Sequence, residues 1–334
     1  MSKLSIVFIT SLLSIFFLET VLTKIKPTPY EKDEILGWKL KKNFHYKFEN
    51  YTFSNKKYYS IYETNENGLI EYKTKTNYDK DLNILIIGDS FSTDPLSSNN
   101  KFWYSVMADE LSDLKKKNIK TLASGGGGYG TIQQYLISKN LKNLKPDIFI
   151  LQFCINDFIN NSLEWEKQIF FFSQYFWRPY YDDKKNEYYY HQSTLKSFLK
   201  PIKDSRLVSV MLSRSGIVAE KFFSKEKHYI EDEIFSNSIN ITKKFLKKIY
   251  DNFPLSKKII INCKTAKTYP DTEWITIAKE IGYIILTDGN LKISESILEE
   301  RDIFNKDGGH YNDLGNYIFG KAVAKELNKK LHLN

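Results

Sequence analysis

A three-layer α/β domain built on a parallel sheet is the fold class this sequence predicts, and three observations predict it. From residue 83 onward, short apolar runs alternate with longer amphipathic stretches, the order of strands and crossover helices. The runs at 84–88, 120–123 and 148–153 each lead into a loop rich in Gly, Ser, Asn or Asp, the residues that turn a chain. The 334 residues, 42% hydrophobic and 27% charged, supply ample chain for a core and exclude a disordered or multi-span membrane protein.

The elements follow in order. Residues 4–23 are almost unbroken apolar chain, preceded by Lys3 and followed by Lys24 and Lys26. A bilayer core needs roughly 20 such residues, so residues 1–25 read as a signal anchor or a signal peptide. The polar step Glu19-Thr20 and the lack of a small-x-small cleavage pattern favour an uncleaved anchor. Lysines on both flanks leave the orientation open. If the segment acts as export signals do, the remainder lies in the cell envelope outside the cytoplasm, periplasmic and membrane-anchored, or is secreted.

Residues 26–80 form a cap region. Short Tyr- and Thr-rich segments at 58–62 and 69–74 flank Asn65-Glu66-Asn67-Gly68, whose Asn and Gly supply a turn, and this predicts a small hairpin. Residues 81–334 form the main domain, with strands at 84–88, 120–123, 148–153, 258–262 and 283–287 and helices at 101–114, 131–144, 234–250, 271–281 and 313–331. An insertion at about 158–230 interrupts it. That stretch carries Trp165, Phe170, Phe171, Phe172, Tyr175, Phe176, Trp177 and Tyr180, expected to form either a lid or a secondary core.

The formal charge of +9 invites a nucleic-acid reading, but the basic residues are mostly scattered lysines. Arg178, Arg206, Arg214 and Arg301 alone offer a guanidinium fork, so no nucleic-acid partner is expected. Cys154 and Cys263 lie far apart, match no metal or redox spacing, and are expected to be buried thiols rather than a disulfide framework. No cluster with metal-ligand spacing occurs, so neither a metal nor an organic cofactor is expected.

Four segments carry chemistry. The apolar run at 84–87 ends in Gly88-Asp89-Ser90, which puts a serine hydroxyl at the carboxyl end of a parallel strand, where open sheets bind ligands. Ala123-Ser124 leads into Gly125-Gly126-Gly127-Gly128-Tyr129-Gly130, whose backbone N–H groups can approach a ligand closely. No Lys-Ser/Thr follows, so a phosphate loop is disfavoured. The third run ends in Cys154-Ile155-Asn156-Asp157, which brings an amide side chain to the same edge. An amide and a backbone N–H beside a hydroxyl nucleophile can stabilise an oxyanion. Asp307-Gly308-Gly309-His310 precedes the last helix. A serine needs an imidazole to take its proton, and the imidazole needs a carboxylate to hold its tautomer.

Together these segments resemble the SGNH, or GDSL, hydrolases, over about residues 83–331. Gly88-Asp89-Ser90 is similar to the first block, Gly127-Gly128-Tyr129-Gly130 to the second, Asn156-Asp157 to the third, and Asp307-x-x-His310 to the last. The resemblance implies a flavodoxin-like α/β/α fold, a catalytic triad of Ser90, His310 and Asp307, and an oxyanion hole of Ser90, Gly128 and Asn156. Within the glycine run, the neighbours of Gly128 are alternatives. Cys154 stands where a Gly is frequent in the family, and Ser92-Thr93-Asp94 where Thr-Phe-Gly is frequent.

The expected function is hydrolysis of acyl esters, O-acetyl groups on envelope carbohydrate first among them, with the N-terminal segment as the membrane contact. An O-acyltransferase and a lipase or lysophospholipase could use the same residues. A non-catalytic glycan-binding protein is the alternative from another class.

Overall fold

In this computed structural model the described residues are 3–25, 27–169, 178–191, 205, 207, 232–263 and 272–331. Much of the aromatic insertion, Phe170, Phe171, Phe172, Tyr175, Phe176 and Trp177 included, lies outside them.

The chain begins with helix α1 (Lys3–Ile25). Its residues Ser5–Ile25 have a mean hydropathy of 2.1 and are long and apolar enough to cross a membrane. The cap follows as β1 (Tyr30–Asp33), β2 (Gly37–Leu40), β3 (His45–Tyr51), β4 (Lys57–Glu63) and β5 (Ile70–Lys73). The main elements are β6 (Asp81–Gly88), α2 (Ser90–Thr93), α3 (Trp103–Lys115), β7 (Asn118–Gly125), α4 (Thr131–Leu141), β8 (Ile148–Phe153), α5 (Asn156–Asn160) and α6 (Leu163–Ile169). After the short strands β9 (Pro179–Asp182) and β10 (Glu187–Tyr190) come α7 (Asp232–Asn252), β11 (Lys257–Asn262), α8 (Glu273–Ile281), β12 (Ile284–Leu286), α9 (Asp288–Leu298) and α10 (Asp313–Leu331).

Six strands form the central sheet in the order β12-β11-β8-β6-β7-β5, parallel except for β5. Counted along the chain, the parallel strands run second, first, third, fourth, fifth, the flavodoxin-like order, with its switch point between β6 and β8. Alternation explains why a sheet of near-continuous apolar strands is covered on both faces. Ile84 and Ile86 of β6 pack with Trp103 and Met107 of α3 and Phe319 and Val323 of α10. Leu85 and Ile87 point the other way, into Ile137 of α4, Leu246 of α7 and Trp274 of α8. Each such aliphatic side chain contributes about 1.5–3 kcal/mol by its burial.

Two expectations change. The segments around Asn65–Gly68 do not pair with each other: β4 pairs with β3, and β5 joins the main sheet antiparallel to β7. The turn itself forms, with Gly68 at φ +73° and its N–H bonded to Asn65 O at 2.9 Å. It carries the chain from cap to sheet edge because Ile70 is apolar enough to be fully buried there. Likewise, Cys154 and Cys263 are not separate thiols but a disulfide. Phe153 and Asn262 are register partners on adjacent strands β8 and β11, so the next residue on each strand arrives with Cα atoms 5.2 Å apart. Distance along the chain had hidden that neighbourhood.

Candidate active site

Ser90, Asn156 and the glycine run all emerge at the carboxyl edge of the sheet, from β6, β8 and β7. Asp89 makes the turn at the end of β6. Its Oδ1 accepts from Phe91 N–H at 3.0 Å and caps α2, so Ser90 stands as the first helical residue. Gly88 is needed beneath it, because a Cβ there would lie 2.6 Å from Gln152 Oε1 on β8.

His310 arrives on a separate loop. Phe304 bridges Tyr311, Asn305 N–H bonds His310 O at 2.8 Å, and Gly308 turns the chain at φ +69°. Asp307 Oδ1 accepts from Gly309 N–H at 2.8 Å and His310 N–H at 3.0 Å, which leaves Oδ2 facing the imidazole. The tip of the β3–β4 hairpin grips this loop through Phe53 N–H to Phe304 O and Lys306 N–H to Tyr51 O, each at 2.9 Å.

His310 Nδ1 lies 2.5 Å from Asp307 Oδ2, and His310 Nε2 lies 2.7 Å from Ser90 Oγ. A carboxylate can only accept, so Nδ1 carries the proton. In the neutral ring Nε2 is then the acceptor, and the Ser90 hydroxyl donates to it. Burial alone would raise Asp307, but the hydrogen bonds from the His310 ring and backbone outweigh it and hold the carboxyl down to about 2. Burial alone would lower His310, yet its bond to Asp307 and the fields of Asp94, Asp307 and Asp89 raise it above 6.5. Burial pushes Asp89 up to about 6.

The oxyanion candidates are placed less directly. Asn156 opens α5, and its Nδ2 reaches Asp89 Oδ2 at 3.5 Å, beside Ser90. Gly128, at φ +72°, sits on the loop between β7 and α4. Its carbonyl accepts from Arg178 Nη1 at 2.9 Å and Asn160 Nδ2 at 3.0 Å. Arg178 is itself buried, 3.3 Å from Glu166. The neighbouring Gly127 N–H bonds the hydroxyl of Tyr30, which donates to Asp94. Ser90, Asp307 and His310 are thus joined by direct hydrogen bonds, Asn156 is joined to them through Asp89, and Gly128 is held by side chains from two other segments.

Sequence reasoning passed over Tyr30, Asp94 and Arg178. Asp94, four residues after the serine, was open to notice as a departure in the first block. Nothing near Tyr30 or Arg178 in the sequence signals a site. Ser90, Asp94, Leu96, His310, Tyr311 and Asn316 line a narrow cleft.

No family model matches the chain, and no curated protein matches it in sequence. Solved structures do match it in fold. Among them are the lipase/acylhydrolase from Enterococcus faecalis, 14% identical and covering 75% of this chain and 96% of that one, with a TM-score of 0.41. The psychrotrophic esterase EstA from Pseudoalteromonas sp. is 10% identical and covers 75% and 98%, with a TM-score of 0.42. The acetyl xylan esterase Est2A from the rumen bacterium Butyrivibrio proteoclasticus is 9% identical and covers 84% and 68%, with a TM-score of 0.36. With TM-scores below 0.5 neither fold nor chemistry is read from these likenesses, and both rest on this chain's own strand order and residues.

Proposed function

We propose that this chain is a serine ester hydrolase of the SGNH type, with Ser90 as nucleophile, His310 as base and Asp307 as its orienter. One observation carries the reading: the unbroken line of hydrogen bonds from Asp307 through His310 to Ser90, at 2.5 and 2.7 Å, at the carboxyl end of the first parallel strand. A structural Ser–His contact would not need a carboxylate aligned on the far nitrogen.

In acylation, Ser90 Oγ attacks the ester carbonyl carbon while its proton passes to His310 Nε2. The carbonyl electrons move onto oxygen, where the Ser90 and Gly128 N–H groups and the Asn156 amide are the assigned donors. Collapse of the intermediate expels the alcohol, which takes the proton from Nε2. Water then attacks the acyl-enzyme, giving its proton to His310, and the acid leaves as Ser90 regains a proton.

The narrow cleft beside Ser90 favours a short acyl group such as acetyl. The apolar α1 and the Cys154–Cys263 disulfide both support a site outside the cytoplasm, since disulfides persist in oxidising compartments. O-acetyl groups on envelope carbohydrate are the substrate this setting favours.

Treatment with a fluorophosphonate followed by mass spectrometry tests the reading. The adduct is expected on Ser90 and absent from Ser90→Ala, and p-nitrophenyl acetate hydrolysis is expected to disappear in Ser90→Ala and His310→Ala. Folded wild-type protein that neither labels at Ser90 nor releases acid from any short or long acyl ester would end it.

A further inference from the structure

Tyr30 opens β1, only a few residues beyond the end of α1, yet its hydroxyl reaches the inner wall of the site. It donates to Asp94 Oδ1 at 2.6 Å, and its free lone pairs face Gly127 N–H at 3.1 Å and Thr93 Oγ1 at 3.2 Å. Asp94 caps the other end of the nucleophile turn, its N–H bonded to Ser90 O at 2.9 Å. Its carboxylate also lies against Gly127, where a Cβ would be 3.0 Å from Oδ1. A single phenol oxygen therefore ties the turn that carries Ser90 to the loop that carries Gly128.

Packing alone does not account for the pair. Even partial withdrawal of a carboxylate from water is costly, and an apolar pair of the same volume would fill the space at least as well. Asp94 is half-buried where it lines the same cleft as Ser90 and His310.

We propose that Tyr30 and Asp94 are a positioning pair for the reaction. Tyr30 holds the Gly127–Gly128 backbone in register with the nucleophile turn, and the Asp94 carboxylate stabilises the imidazolium that forms on His310 as it takes the serine proton. The inference rests on Ser90 acting as nucleophile. The charged groups facing His310 are Asp307 on its own loop and Asp94 and Asp89 from the nucleophile turn. The titratable groups facing Asp94 are the neutral Tyr30 phenol, His310, Asp307 and Asp89.

The test compares wild type, Tyr30→Phe and Asp94→Asn by kcat and KM on p-nitrophenyl acetate across pH and by the rate of fluorophosphonate labelling at Ser90. Tyr30→Phe is expected to lower kcat roughly tenfold with KM within about twofold of wild type, the mark of a contact that matters in the transition state. Asp94→Asn is expected to move the acid limb of kcat/KM to lower pH. The limb's position does not depend on how much of a variant is folded, so poor yield cannot imitate this shift. Both variants turning over and labelling as wild type does, with the limb unmoved, would overturn the proposal. So would rate losses that vanish once each sample is corrected for its titrated active sites, if the limb again stays in place. Failure of wild type itself to label at Ser90 would instead sink the hydrolase reading.

Discussion

Replacing Asp307 by Asn changes one group and reverses the hydrogen-bond polarity at His310. Oδ1 of the amide still accepts from the backbone N–H groups of Gly309 and His310, so the turn that presents the base is kept. The amide nitrogen, however, takes the place of Oδ2 and offers a donor where Nδ1–H now donates. The ring relieves the clash by moving its proton to Nε2, and Nε2 can then no longer accept the proton of Ser90. A buried orienter lost in this way lowers kcat by about 10⁴-fold, or about 5.5 kcal/mol. The Asp307 side chain is 45% exposed, so water competes for the ring and screens the carboxylate. The expected loss is therefore smaller, about 10³-fold, or about 4 kcal/mol. Steady-state hydrolysis of p-nitrophenyl acetate reads the loss, and circular dichroism with a melting curve checks that the turn and fold survive. A folded Asp307→Asn protein within tenfold of wild type would refute the role given to Asp307.

Because His310 is raised above 6.5 and must be neutral to act, kcat/KM should climb with pH along an acid limb centred above 6.5, and a limb centred below it would contradict the assigned environment. Asp89, at about 6, titrates in the same region, so Asp89→Asn should move that limb to lower pH by removing a negative neighbour of the imidazole. Asn156→Ala should cost on the order of 10²-fold in kcat with little change in KM, the usual loss of one oxyanion donor, and an unchanged kcat would remove Asn156 from that role. The Cys154–Cys263 bond closes a loop across a sequence separation of 109 residues. Replacing both cysteines by Ser should lower unfolding stability by about 2–5 kcal/mol in denaturant titrations, and a thiol assay on unfolded, unreduced wild type should find no free sulfhydryl.

The legible parts of this protein are those whose meaning lies within a few residues. Apolar runs announced the strands of the parallel sheet because a strand buried on both faces must be apolar throughout. β12, predicted at 283–287 and found at Ile284–Leu286, shows how far such boundaries drift. Ser90 was legible because Gly88 and Asp89 must flank it to end a strand and cap a turn, and Asp307 with His310 because one Gly-rich turn brings both to the same ring. What stayed hidden depends on partners far along the chain. The cysteines looked unrelated until β8 and β11 proved adjacent. The 58–62 segment looked like the partner of 69–74, but β3 offered a seven-residue register with β4, while β5 could bury Ile70 by leaving for the sheet. Tyr30 carries no local mark at all, since only the folded chain puts its hydroxyl against Asp94 and Gly127.

The division of labour at the site follows from where its loops are attached. β6 and β8 are hydrogen-bonded neighbours, so the distance between the turns carrying Ser90 and Asn156 is fixed by the sheet. The disulfide ties the second of these turns to β11 as well. The His310 loop has less of such support: it emerges from no strand of the sheet and meets it through the Tyr311 hydroxyl, which donates to Cys263 O at 2.5 Å just beyond β11. Its backbone is instead paired with the β3–β4 hairpin, through Thr52 with Asn305 and Phe53 with Phe304. The glycine loop is likewise pinned from outside, by Tyr30 on one side of Gly128 and by Arg178 and Asn160 on the other. A displacement of the β1–β4 strands relative to the sheet would thus pull on the His310 loop through Thr52 and Phe53, and on both the Ser90 turn and the glycine loop through Tyr30. The 2.7 Å contact between Ser90 and His310 therefore depends on the docking of these strands as well as on the sheet, against which Tyr311 packs beside His310.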